Sequence, residues 1–167
     1  MSKYYGFPVY QDGDITIGHQ RMADVMDEIV PLYAKHFVET EEKYLDTEYE
    51  PNYEQYLAAE ERGNFVLFTV RKGSTLVGYM QYHIYNWAHS RRLRHAKEDA
   101  LYIAEEHRGG GLSKKVLDYT EDFLQKLGCA YVGMTSKAPV GSTDIGPYLE
   151  TRGYRPVAVY YVKELEK

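Results

Sequence analysis

Six residues, Arg108-Gly109-Gly110-Gly111-Leu112-Ser113, follow an apolar run, Ala100-Leu101-Tyr102-Ile103-Ala104, and lead straight into a helical pattern. Consecutive glycines admit positive φ and carry no Cβ to keep a ligand away. A helix that starts on such a turn offers N–H groups at the positive end of its dipole. The chemistry favoured there is the holding of a phosphate or pyrophosphate by backbone. A plain strand-to-helix turn without a ligand would use the same glycines. Two common nucleotide motifs do not fit. Gly111-Leu112-Ser113 lacks the lysine of a P-loop. The turn also comes too late in the chain, and misses the third glycine position, for a dinucleotide fingerprint.

Groups that could move a proton stand just upstream. Glu98 and Asp99 are carboxylates at the start of the apolar run, and His83 lies on an earlier strand-like stretch. Strand alternation puts Asp99 on the face of Leu101 and Ile103, and Glu98 on the other. Each has a plainer use, the carboxylates as partners for Arg92, Arg94 or Lys97 and His83 as a packed polar residue. Cys129 is the single cysteine, which excludes an internal disulfide and a multi-cysteine metal site, and no metal is expected. Placed between a helix stop and a strand, it reads as a packing residue.

The elements that must position these groups follow from periodicity. Leu112, Val116, Tyr119, Phe123 and Leu127 recur at helical spacing behind the glycine turn, and Gly128 is a natural stop. Upstream, Asp14–Ile17 reads as a first strand. A helical pattern runs from about Arg21 to Phe37, with Pro31 expected to kink or split it. A second helix runs from Tyr53 to Glu61. Phe65–Arg71 and Leu76–Tyr85 read as strands joined by the Lys72-Gly73-Ser74 turn. Later come the strand at about Lys97–Ala104, a strand at Ala130–Thr135, a short helix near Ile145–Arg152 and a closing strand Pro156–Val162. The order β-αα-βββ-α-β-α-β gives an α/β fold, a mixed and mostly antiparallel sheet flanked by helices, in a single domain over residues 1–167.

Composition narrows the class. Hydrophobic and charged fractions of 44% and 27% suit a globular domain, no apolar run spans a membrane, and the N-terminus shows no signal-peptide pattern. A cytoplasmic location is expected. A net charge of −5 argues against binding nucleic acid through its phosphates. Nine carboxylates against one lysine in Glu39–Glu61 read as a solvated face or as a rim attracting a cationic acceptor. Many of the eighteen tyrosines alternate along strands as half-buried sheet residues.

Arg108, Gly111 and Ser113, set between a strand and an amphipathic helix, resemble the acetyl-coenzyme A signature Arg-x-x-Gly-x-(Gly/Ala) of the GNAT N-acetyltransferases. Tyr148-Leu149-Glu150-Thr151-Arg152-Gly153-Tyr154 is similar to the family's late helix ending in Gly-Phe or Gly-Tyr. The stretches Ser136–Gly141 and Tyr154–Val157 also resemble small acetyltransferases encoded in tailed-phage genomes, for which the location would be the host cytoplasm.

The resemblance implies transfer of an acetyl group from acetyl-CoA to an amine. Leu101, Tyr102 and Ile103 would line the pantetheine arm, and Arg108, Gly109, Gly110, Gly111, Leu112 and Ser113 would hold the pyrophosphate. Asp99 or Glu98 would serve as base, with His83 as a further candidate. Many members place a tyrosine, as acid, four residues before the late glycine, where this chain has Leu149. A one-residue step turns a side chain about 100° on a helix, so Tyr148 takes that role only where the helix is shifted. Ser142 stands where many members have an asparagine that binds the pantetheine, and its hydroxyl would serve the cofactor there, while Met134-Thr135-Ser136-Lys137 lacks the glutamate some carry. The acceptor would be a small-molecule amine or a protein amine, with a modified DNA base less consistent with the acidic balance. An exposed final strand could pair across a homodimer. The alternative is a GNAT-like module that binds the cofactor or a protein with little turnover.

Overall fold

Apolar runs bounded by turn residues become the strands of one six-stranded sheet in a computed structural model, which describes residues 6–42, 48–136, 144–161, 163 and 165. In chain order the elements are β1 (Tyr10–Asp12), β2 (Ile15–Gln20), α1 (Met22–Thr40), α2 (Tyr53–Glu61), β3 (Phe65–Lys72) and β4 (Thr75–Asn86). There follow β5 (Arg94–Ile103), a 3-10 turn at Glu105–His107, α3 (Leu112–Lys126), β6 (Cys129–Gly133) and α4 (Gly146–Thr151). The chain divides into two units, Met1–Met134 and Thr135–Lys167. The sheet belongs to the first, and α4 to the second.

Strand order in the sheet is the order in sequence. Four pairings are antiparallel and the last, β5 with β6, is parallel. A parallel return needs a crossover, and α3 supplies it. Fold class is therefore as the sequence implies, a mixed, mostly antiparallel sheet with helices on its faces. Among the described residues, no helix is long and apolar enough to cross a membrane.

Two cores sit on the two faces. On one face, Val116, Leu117, Phe123 and Leu124 of α3 pack on Phe68, Met80, Tyr82, Ile84, Ala96 and Ile103. On the other, Met22, Val25, Ile29 and Tyr33 of α1 and Ala59 of α2 pack on Phe65, Leu67, Tyr79 and Tyr102.

Several elements differ from the sequence expectation. The Asp12-Gly13 turn joins a hairpin, so a short β1 precedes the expected first strand. α1 runs unbroken through Pro31. Its buried stripe of Val25, Ile29, Leu32 and Tyr33 spans the proline, and packing offsets the missing N–H. The expected closing strand is absent: Pro156–Tyr161 carry no strand pairing, and Val162 lies outside the described residues.

The pairing of β4 with β5 carries an irregularity. Gln81 lies opposite Ala100 and Tyr82 opposite Glu98, which leaves Asp99 as an extra residue, a β-bulge. Gly78 sits near the far end of the same pairing. A Cβ built there would lie 2.6 Å from the Tyr102 carbonyl oxygen, so only glycine admits this approach of the two strands.

Candidate active site

β5 is shared unequally between its neighbours. β4 pairs with it along its whole length, whereas β6 pairs with it only along Arg94–Lys97. From Glu98 to Ile103 that edge of β5 has no partner strand among the described residues. The sheet opens there into a wedge, with the bulge at its root and the glycine turn beyond its mouth. Leu101 and Ile103 turn into the core under α3, and Tyr102 into the core under α1.

Gly109, Gly110 and Gly111 take φ of 99°, 57° and 75° in succession. An added Cβ would meet nothing within 4 Å at any of them, so the glycines serve backbone conformation and leave open space above the turn. No side chain caps α3. The Leu112 N–H donates to the Gly109 carbonyl, and the Lys115 N–H to the Gly111 carbonyl, both at 3.1 Å. Between them, the first-turn N–H groups of Ser113 and Lys114 have no acceptor within the helix.

The nearby cations are engaged in ion pairs. Arg108 pairs with Glu39 at 2.5 Å, Lys114 with Asp118 at 2.6 Å and Lys115 with Asp12 at 2.5 Å. Arg108 also donates its Nε–H to the Ile103 carbonyl at 2.8 Å and lies 5.6 Å from the centre of the Tyr102 ring. Backbone dipoles, more than side-chain charge, are thus what the turn offers an anion.

Asp99 occupies the root of the wedge, and its face differs from that expected by alternation. The bulge turns it away from Leu101 and Ile103, toward α1 and α2, where it meets Tyr56 and Gln81. Glu98 pairs with Tyr82, whose ring lies in the core under α3. The Tyr56 hydroxyl donates to Asp99 Oδ2 at 3.1 Å, and Gln81 Nε2 to the same oxygen at 2.5 Å. His83 Nε2 stands 3.5 Å from Oδ1. Behind Gln81, the Tyr33 hydroxyl donates to its Oε1 at 2.6 Å. Burial pushes the Asp99 carboxyl up, but hydrogen bonds from His83, Gln81 and Tyr56 outweigh it and hold it below its ordinary value. Asp99 is therefore ionised and oriented across the neutral range. His83 remains substantially exposed, and its ring stacks on Tyr56 at 6.1 Å and 17°.

The structure thus brings together Asp99 and His83, which the sequence left as separate candidates. Sequence reasoning missed Tyr56, Gln81, Tyr33 and Glu39. Gln81, 2% exposed in a strand of apolar neighbours, is the one whose type was a signal. In the second unit, Tyr148 lies exposed on α4 beside a buried Leu149. Ser142 lies outside the described residues. No group of three His, Cys, Asp or Glu side chains able to hold a metal occurs among the described residues.

Several solved structures with this architecture are acetyltransferases. An aminoglycoside acetyltransferase from an uncultured soil metagenomic sample, in complex with sisomicin, superposes with a TM-score of 0.70 at 15% identity, over 93% of this chain and 99% of that one. The ribosomal-protein-alanine N-acetyltransferase of Brucella melitensis biovar Abortus 2308 gives 0.70 at 18% identity, over 92% and 99%. A predicted acetyltransferase with acetyl-CoA from Clostridium acetobutylicum gives 0.69 at 9% identity, over 90% and 96%. At these identities the likeness is one of fold. No curated protein matches the sequence. The family model Acetyltransferase (GNAT) family, however, matches residues 26–142, well over half the chain, and the chain belongs to that family.

Proposed function

We propose that the protein transfers the acetyl group of acetyl-CoA to a primary amine. One observation carries the reading: a single strand, β5, leads from an ionised, hydrogen-bonded carboxylate at its bulge to a cradle of backbone N–H groups just past its end. Family membership supports the donor, and the Clostridium acetobutylicum neighbour is described with acetyl-CoA.

The turn fits the pyrophosphate of this donor. Open space stands over three glycines at positive φ, and the uncapped start of a fifteen-residue helix aims its N–H groups there. Ser113, with the backbone of Gly109 to Leu112, would hold the phosphates. The edge of β5 past Lys97 would align the pantetheine arm along Leu101–Ile103. When bound, acetyl-CoA supplies a thioester carbonyl carbon as electrophile and a thiol as leaving group.

The chain's own task is to deliver an unprotonated amine. Asp99 is fixed by three donors and is a weak base, so its best use is orientation of the His83 ring. His83, exposed and held beside Asp99, is the group that would take the ammonium proton. The departing sulfur leaves as a thiolate and takes its proton from water.

Calorimetric titration with acetyl-CoA, beside the variant Gly111→Trp, tests the donor site. Micromolar binding lost in the variant is expected. Thiol release on adding a panel of primary amines then tests transfer. Absence of acetyl-CoA binding by the natural chain overturns the proposal, and binding without thiol release leaves a cofactor-binding module.

A further inference from the structure

The face of the sheet that carries Asp99 and His83 does not end with them. His83 lies opposite Lys97, and two residues further along the strands Tyr85 lies opposite His95, which in turn lies opposite Tyr131. Side chains two apart on a strand share a face, so these residues continue the face of Gln81 and His83. Their rings touch: His95 stacks on Tyr85 at 5.1 Å and 24°, with Trp87 at 5.9 Å and Tyr131 at 6.2 Å. Tyr85, Trp87 and Tyr131 are each more than 40% exposed. In the first unit, only Val9 and Val38 are other large apolar side chains as open among the described residues.

Charge is segregated on the same stretch. From Tyr85 to Lys97 the chain carries Arg91, Arg92, Arg94 and Lys97 and no carboxylate, in a protein of net charge −5. Arg91 and Arg92 are exposed and make no ion pair among the described residues. The acidic residues Asp118, Glu121 and Asp122 belong to α3, whose core packs on the opposite face, and they reach this region only at its Tyr131 edge, where they line a pocket with β6. Trp87 follows His83 by four residues, about 13 Å at the rise of a strand, which is also the span of about four residues of an extended peptide.

We infer that this aromatic, cationic face docks an acidic peptide, and that the acceptor is an amine carried on such a peptide, its flanking acidic residues lying over Tyr85, Trp87 and His95. The substrate assignment rests on the acetyl transfer proposed above; docking does not. Exposed rings supply contact area, and Arg91 and Arg92 supply charge complementarity. The choice of a peptide over a nucleic acid rests, like the substrate assignment, on the amine acceptor proposed above; binding of an anionic chain to this face does not.

Trp87 is the sole tryptophan, so its emission reports binding without turnover. Two lysine-free hexapeptides with a free α-amine serve as probes, one with glutamates at its third, fourth and sixth positions and one with arginines there. The glutamate peptide is expected to bind about ten times more tightly than the arginine peptide. The double variant Arg91→Glu with Arg92→Glu should abolish that preference while its acetyl-CoA titration, a check that it has folded, stays unchanged. Equal binding of the two peptides, or a preference that survives in the double variant, overturns the inference. So does a ten-nucleotide single-stranded RNA that shifts Trp87 emission where neither peptide does. Emission is read without acetyl-CoA, so failed docking and failed acetyl transfer give different results.

Discussion

Glu39, in the last turn of α1, grips Arg108 at 2.5 Å and accepts the Tyr102 hydroxyl at 3.0 Å, tying the helix to both the end of β5 and the start of the glycine turn. The guanidinium beside the proposed phosphate site is thereby neutralised. Glu39→Gln should release its charge toward the donor and tighten acetyl-CoA binding by about two- to fivefold at low salt, an advantage that fades as salt rises. Calorimetry at two ionic strengths measures this. Weaker binding at both would mean that the ion pair shapes the turn instead.

Asp99 and Gln81 should separate in their kinetics. Asp99→Asn removes the charge that orients His83, and kcat is expected to fall by about 10²- to 10⁴-fold with acetyl-CoA affinity unchanged. Gln81→Leu keeps the charge but strips one of its donors, so a loss of about tenfold is expected. Equal losses in the two variants would show that the carboxylate works only through its hydrogen-bonded frame.

Gly78→Ala should destabilise the fold by about 1–3 kcal/mol, since its Cβ would collide with backbone rather than with a side chain that can turn aside. Urea unfolding gives the figure. An unchanged midpoint would mean that β4 and β5 can move apart there without loss.

His19 makes stability depend on pH. It lies beside Phe123, ring stacked at 5.5 Å, and burial pulls its imidazole from 6.5 down to about 4. Between those values the unfolded chain binds a proton that the folded chain refuses. Stability is therefore lost as pH falls from 6.5 toward 4, by up to about 3 kcal/mol. Denaturant titrations across that window should show the loss, and His19→Phe should flatten it.

Much of the scaffold was legible because local chemistry decides it. α2 was read at its observed ends, Tyr53 to Glu61, and the hairpin through Lys72-Gly73-Ser74 joins the strands it implied. The face of Asp99 was not legible. Nothing in Glu98-Asp99-Ala100 announces a bulge, yet the bulge is what lets Ala96 and Leu101, five residues apart, both face α3. Gln81 and Tyr56 reach Asp99 from 18 and 43 residues away, beyond any periodicity. The split that Pro31 offered did not occur for the opposite reason: a strong local signal gave way to packing along α1.

Three glycines in a row make the turn proposed to face the phosphates a part of the chain that surrenders much freedom on becoming ordered. A ligand gripped by that backbone shares its binding energy with the ordering of the turn. Donor supply would then act on the protein as a stiffening agent, slowing amide exchange at Gly109–Ser113 and raising the melting temperature together. Rigidity at the mouth of the wedge would rise and fall with the level of acetyl-CoA around it.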